Sequence, residues 1–437
     1  MPLALCLMVL FVFSGTSLTY LYDSQSSILG RLAVGAATGP AALGLIGLSI
    51  ALVCGLGPAC IILSAIISAL GFLVFLSERL RHKASSDILE GCRLAGRILR
   101  VSSAQETAVT FAYLGLIAVL FLVFKDAMFH SDGAAFTGVQ NNYGDLMLHL
   151  SVIARFGKGG DFPPVDPAYA GAKFTYPFLT DFIAAMFFRA GASFRAAMFL
   201  EGFALASATL VLLHRWVLAL TGNRGACLIA ELLVFFSGGL GWVTFVREAA
   251  HSSSSLSRLL VHLPHDYTIT AVTFRWANSL TSLLVPQRSL LLGVPLALVA
   301  FHIFWQNWRR DDEPASPTGK AEEKNNSIRA RGVEEPVREA QVDRDAMIAA
   351  GLISGILPLA HTHTFLVVTG VAFILALLDR QRRGWAWFFA SSLLVALPQV
   401  WWLSLENKVR FETFFQFHTG WDSGGTNLLW FWLANTG

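Results

Sequence analysis

The chain has 437 residues, of which 54% are hydrophobic and 14% charged, with a formal net charge of +3 and a mean hydropathy of +0.57. Soluble domains carry about 25% charged residues, so a soluble globular class is excluded and no nucleic-acid partner is expected. Apolar runs of about 20 residues, the length that crosses a bilayer as a helix, recur along the chain and predict an all-α polytopic membrane protein of about ten spans.

The predicted spans are Leu3–Leu21, Val34–Cys54, Pro58–Leu76, Thr107–Phe124, Phe194–Leu218, Cys227–Val246, Ser289–Trp305, Ala346–Ala360, Phe365–Leu378 and Ala386–Leu405. The first lacks the basic start of a signal peptide and is read as a membrane helix. The second is dense in glycine and alanine (GAATGPAALGLIGLSIALVCG), a composition that lets helices approach closely in lipid. Cys6, Cys54, Cys60, Cys92 and Cys227 show no CxxC pairing and read as small apolar fillers. Arg309–Asp345 mixes both charge signs with Pro, Ser, Gly and Asn, the composition of a disordered linker. Four regions follow: 1–106, N-terminal spans and a basic loop; 107–305, the core; 306–345, the linker; and 346–437, C-terminal spans. The final NLLWFWLANTG reads as the start of another span, so a longer chain is expected.

Arg79, Arg81, Lys83, Arg93, Arg97 and Arg100 place the loop after the third span in the cytoplasm, and Arg380, Arg382 and Arg383 mark another cytoplasmic turn. The long polar stretch Asp126–Gly191, the loop His251–Arg288, the turn at His361 and the segment after Glu406 are then extracytoplasmic. This parity requires that Tyr176–Arg189, which carries Asp181, does not cross; it is assigned as an interfacial or re-entrant helix.

Candidate chemistry lies in the polar stretch. Asp145 and His149, four apart in YGDLMLHLSVIARF, share a helix face. A carboxylate there suits a general base or a divalent-ion ligand, and it equally suits a dipole-favoured acid at a helix start. Asp132 is a second acid or a plain turn residue before glycine. Tyr176–Pro177 opens the helix that holds Asp181, and a charge near the membrane is a functional candidate. His361 and His363 form an H-x-H pair that supplies two ligands at most. Arg288 and Arg410 could each hold a lipid phosphate or anchor to headgroups. No GxxxxGKS, GxGxxG or HExxH motif occurs, which excludes a cytosolic nucleotide-driven machine and a zincin.

The order of spanning helix, acid-bearing interfacial helix, Pro/Gly turn, Tyr-Pro helix and span ending at basic residues resembles the first outer loop of the GT-C glycosyltransferases. These membrane enzymes take sugars from polyprenyl-phosphate donors; the protein O-mannosyltransferases and aminoarabinose transferases are examples. The resemblance covers about Thr107 to Arg224. Asp145 with Ala154–Arg155 looks like the family's early catalytic acid and following A-R, and Tyr176–Pro177 looks like its Y-P-P-L segment; Leu146 and Phe178 stand where a second acid and second proline are common. The layout also resembles uncharacterised bacterial polytopic membrane proteins. The resemblance implies sugar transfer with inversion at the anomeric carbon, at an outward-facing site in a bacterial plasma membrane. Asp145 would activate the acceptor hydroxyl, with Asp132 and His149 beside it. Tyr176, Asp181, Arg288, His361, His363 and Arg410 would bind the polyprenyl-phosphate sugar, with a divalent cation as a possible helper. Two alternatives stand: a transporter or flippase of a lipid-linked sugar or other amphiphile, and a non-catalytic assembly subunit.

Overall fold

A computed structural model describes residues 1–98, 104–131, 134–159, 162–163, 165–169, 171–261, 263–268, 276–312, 344–379, 382–405, 423 and 425–436. Asp132, Arg410 and most of the linker therefore lie outside the described residues.

The described chain is almost entirely helical. Its elements are α1 (Pro2–Thr19), α2 (Ile28–Cys54), α3 (Pro58–Ala69, extended by a 3-10 segment to Leu76), α4 (Glu78–Ile98), α5 (Ala104–Asp126), α6 (Tyr143–Lys158), α7 (Leu179–Arg189), α8 (Phe194–Thr221), α9 (Arg224–Phe236), α10 (Trp242–His251), α11 (Leu256–Val261), α12 (Arg288–Asp312), α13 (Arg344–Gly355), α14 (Leu357–Leu378), α15 (Arg382–Ser404) and α16 (Leu428–Thr436). A two-stranded hairpin, β1 (Phe129–Ser131) and β2 (Ala134–Phe136), follows α5. Among the described residues, eight helices are long and apolar enough to cross a membrane. Local signals set their ends. Ser27 and Ser193 cap α2 and α8, each accepting a backbone N–H three residues on, and left-handed Gly222 closes α8.

Glycine spacing in α2 decides two packings. Gly35 and Gly39 face α1: a methyl group at Gly39 would fall on the Phe11 carbonyl, and one at Gly35 on the Thr16 side chain and Val12 carbonyl. Gly44 and Gly47 face α7, where Ile183 and Met186 fill the space. α1 thus approaches α2 to backbone distance, while α7 seats side chains in the space the other two glycines leave, as small residues permit in lipid.

The helix α7 is the centre of the molecule. Every residue from Leu179 to Phe187 is buried, among contacts with α1, α2, α3, α6, α8, α12 and α14. It is a short helix enclosed by the bundle, and the reading of Asp181 as an acid on a solvated helix face is corrected accordingly: Asp181 is 2% exposed. Its apolar sequence lacks a polar face because protein covers it all round.

Two predicted spans take another form. Cys227–Val246 breaks between α9 and α10 at residues 237–241 (SGGLG). Three glycines weaken the helix there, and Gly238 packs so tightly on the Ala277–Asn278 backbone that a side chain would clash at about 3.0 Å. Trp276 Nε1 donates to the Phe236 carbonyl at 2.9 Å and closes α9. Ala346–Ala360 is likewise divided, with α13 ending at Gly355. His361 falls inside the bounds of α14, yet its backbone is extended (φ −159°, ψ 98°). Side-chain partners show the path: Ser391 bonds the Ile348 carbonyl and Gln399 bonds both Gly355 and Leu359, so 344–360 runs parallel to α15. Trp385 then bonds Asp379, so the chain reverses at His361 and returns.

Candidate functional site

One end of the bundle gathers the outer-loop helices. Asn141 Nδ2 donates to Thr268 Oγ1 (3.0 Å) and Ser282 Oγ (3.3 Å), which places the 126–191 and 237–287 segments at the same end. Behind these contacts lies a buried ionic cluster drawn from four helices. His149 Nδ1 of α6 is 2.8 Å from Asp181 Oδ2 of α7, and its Nε2 is 3.0 Å from the Pro286 carbonyl. Arg288, at the start of α12, donates from Nε to Asp181 Oδ1 (3.0 Å) and from Nη2 to Glu201 Oε2 of α8 (2.6 Å). Thr180 Oγ1 donates to the Arg288 carbonyl at 3.2 Å. All four ionisable side chains are at most 5% exposed. Glu201 is seven residues into α8, so the cluster lies roughly 10 Å below that helix end.

Both neighbours of His149 are acceptors, since a proline carbonyl and a carboxylate oxygen offer lone pairs. Each acceptor can take an N–H from the ring, so His149 bridges α7 and the segment just before Arg288. The cluster sets the basic side chains Arg288 and His149 against the carboxyl groups of Asp181 and Glu201. A buried charge set survives when each member is paired and hydrogen-bonded.

Asp145 sits one turn before His149 and is half-buried. Among the described residues its carboxylate has no hydrogen-bond or ion-pair partner. Tyr176 lies close enough for its phenol to feel the charges of Asp181 and Asp145. Burial pushes the Tyr176 ionisation up, with the two carboxylates adding to it and the Ser289 hydroxyl opposing it. Tyr176 therefore stays a neutral phenol. Asp145 and Tyr176 lie near the buried cluster: Asp145 is one turn from His149 on α6, and Tyr176 is close enough to feel Asp145 and Asp181.

No protein-family model, curated protein or solved structure matches this chain.

The structure brings Asp145, His149, Tyr176, Asp181 and Arg288 together. Arg288 engages two carboxylates through Nε and Nη2. His361 stands apart in role: its Nδ1 accepts the Thr364 backbone N–H (3.3 Å) and meets Thr364 Oγ1 (2.7 Å), capping the returning segment of α14. It also packs against Gly293 of α12, where a methyl group would meet its Cβ at 2.8 Å. His363 is exposed, with its ring 5.5 Å from that of His361. Among the described residues, no three His, Cys, Asp or Glu side chains converge as a metal site.

Sequence reasoning passed over Glu201. A lone acid inside a 28-residue apolar helix is itself the signal that marks an intramembrane charge with a partner. The same signal marks Glu231 of α9, which with His214 and Tyr113 ties α9, α8 and α5 together. The Tyr113 hydroxyl is 2.6 Å from His214 Nδ1 and 3.1 Å from Glu231 Oε1. At the opposite end of the bundle, Arg215 Nη2 bonds Asp23 (2.5 Å) and Arg31 Nε bonds Asp87 (3.1 Å).

Proposed function

We propose that the protein is a membrane glycosyltransferase of GT-C type, with Asp145 as the group that activates an acceptor hydroxyl. The observation that carries this reading is the position of Asp145: half-buried, uncommitted, and near the neutral phenol of Tyr176 and the ionic cluster. A general base must reach substrate and must not already be spent on a partner. The buried cluster holds α6, α7 and α12 in register, so the base is fixed on rigid elements. The donor is a polyprenyl-phosphate sugar, and the acceptor comes from the aqueous side at the α6 end, read as the extracytoplasmic face of a bacterial plasma membrane. Ten crossings, the number read from the sequence, would put the α6 end on this side. The segment 224–241 brings the chain back to the α6 end, and the reversal at His361 adds a crossing before α15.

The test is transfer of a radiolabelled sugar from a polyprenyl-phosphate donor by the reconstituted protein. Asp145→Asn is expected to lower the rate about 100-fold or more with melting temperature unchanged. Equal rates would remove the catalytic role.

One observation favours transport instead. The interface of α8 and α12 carries an ionic group near each end: Glu201 with Arg288, and Arg215 with Asp23 beside buried His302. Between them lie buried apolar residues such as Leu205, Ala206, Leu298 and Val299, which interrupt a polar path. Movement of a lipid-linked sugar in proteoliposomes that persists in Asp145→Asn, without sugar transfer, would make the transporter reading the better one.

A further inference from the structure

The helix α4 has a face that the bundle does not use. Leu80, Ala84, Asp87 and Gly91, spaced by three and four residues, are its partly or fully buried stripe. Asp87 is 4% exposed; its Oδ2 meets Arg31 Nε at 3.1 Å and its Oδ1 meets Lys83 Nζ at 2.8 Å. Arg31 itself is fully buried and stacks over the Tyr20 ring at 3.9 Å. This latch fixes how α4 is rotated. With the stripe turned inward, Ile88, Cys92 and Ala95 line one flank, again at helical spacing, and all are exposed. Ile88 is 51% exposed, and Leu89 and Leu94 are 58% and 53% exposed.

Charge on the free surface of α4 is biased. Arg79, Arg81, His82, Lys83 and Arg93 are exposed. Asp87 is shared by Arg31 and Lys83, and Glu78 pairs with Arg81 at 3.5 Å, which leaves Arg79, His82 and Arg93 against Glu90. The helix begins two residues after Leu76, where an apolar segment of high hydropathy ends. If that segment crosses the bilayer, its end at Leu76 falls near the headgroups. An amphipathic helix with a basic excess at this height has an apolar flank for the acyl boundary and cations for phosphate.

We propose that α4 is an interfacial helix that binds anionic phospholipid headgroups of the leaflet at its own end, held in register by the Arg31–Asp87 latch. The occupant is a membrane surface: the apolar flank Ile88–Cys92–Ala95 calls for acyl chains, and the basic excess calls for negative headgroups. This proposal does not depend on the glycosyltransferase reading.

Cys92 supplies the probe. In a Cys6→Ser/Cys54→Ser background, Cys60 and Cys227 are buried, so a bimane label reports on Cys92 in nanodiscs. Brominated phosphatidylglycerol is expected to quench it more strongly than brominated phosphatidylcholine at the same mole fraction, and aqueous iodide is expected to quench it weakly. Each basic residue near an anionic surface corresponds to roughly a fivefold preference. Arg79→Gln/Arg81→Gln/Arg93→Gln should therefore bring the two lipids close to equal while bromolipid quenching itself persists. Asp87→Asn should raise iodide quenching as the latch opens. Strong iodide quenching with no bromolipid effect in the unsubstituted helix would overturn the interfacial placement. Equal quenching by both lipids there would overturn the anionic preference.

Discussion

Arg288→Met is expected to destabilise the folded protein by about 3–5 kcal/mol, the usual cost of removing one partner from a buried ionic set. Arg288 Nε and Nη2 reach two carboxylates on different helices, α7 and α8. Without it Glu201, which is fully buried, keeps no cationic neighbour, and Asp181 keeps only His149. Chemical unfolding in detergent measures the effect. The control removes both partners. Arg288→Met/Glu201→Gln takes away the guanidinium together with a carboxyl it serves and leaves the His149–Asp181 pair intact, so the double variant should be more stable than the single one. A single variant within about 1 kcal/mol of the parent, or a double variant less stable than the single one, would show that the cluster is not held by charge compensation.

Gly39→Val is expected to cost about 3 kcal/mol or more, at the upper end of over-packing penalties. The added Cβ would land on the Phe11 carbonyl of α1. That oxygen is helix backbone, so no rotamer change relieves the contact and α1 has to move as a body. Gly15 of α1 approaches the backbone of Gly39 from the other side, where a methyl group would sit 2.8 Å from the Gly39 nitrogen. Shifting α1 disturbs that contact too. Gly115→Val on α5 is the matched control, because a Cβ there meets nothing within 4 Å. Thermal melting of the two variants side by side gives the comparison, and equal melting temperatures would refute the close α1–α2 approach.

Much of the architecture was legible before any coordinates. Apolar runs of bilayer length exposed most of the long helices, because lipid leaves a helix as the way to satisfy backbone groups locally. Glycine density in α2 announced close helix contacts, and the four-residue spacing of Asp145 and His149 placed them on one helix, α6. Tyr176–Pro177 was read as the opening of a short helix; α7 is a short helix there, but it starts two residues later, at Leu179, so Tyr176 and Pro177 precede it.

The partners were not legible. His149 was read beside Asp145, its neighbour in sequence, yet its ring nitrogens bond Asp181 and the Pro286 carbonyl, 32 and 137 residues away. Asp181 was weighed as a solvated acid because a short amphipathic run is compatible with a membrane surface, and only the packing of α2, α6, α8 and α12 around it excludes water. Arg288 was offered as a phosphate ligand, since an arginine before a span suits that role, and its fork faces Asp181 and Glu201. The break at residues 237–241 depended on the Ala277 backbone pressing on Gly238, a contact that no periodicity encodes. Hydrophobic length is a property of each segment by itself, so the sequence determined the membrane helices. Burial and charge pairing are properties of what surrounds a side chain, so the tertiary structure alone decided which carboxylates are spent on cations and left Asp145 without a partner among the described residues.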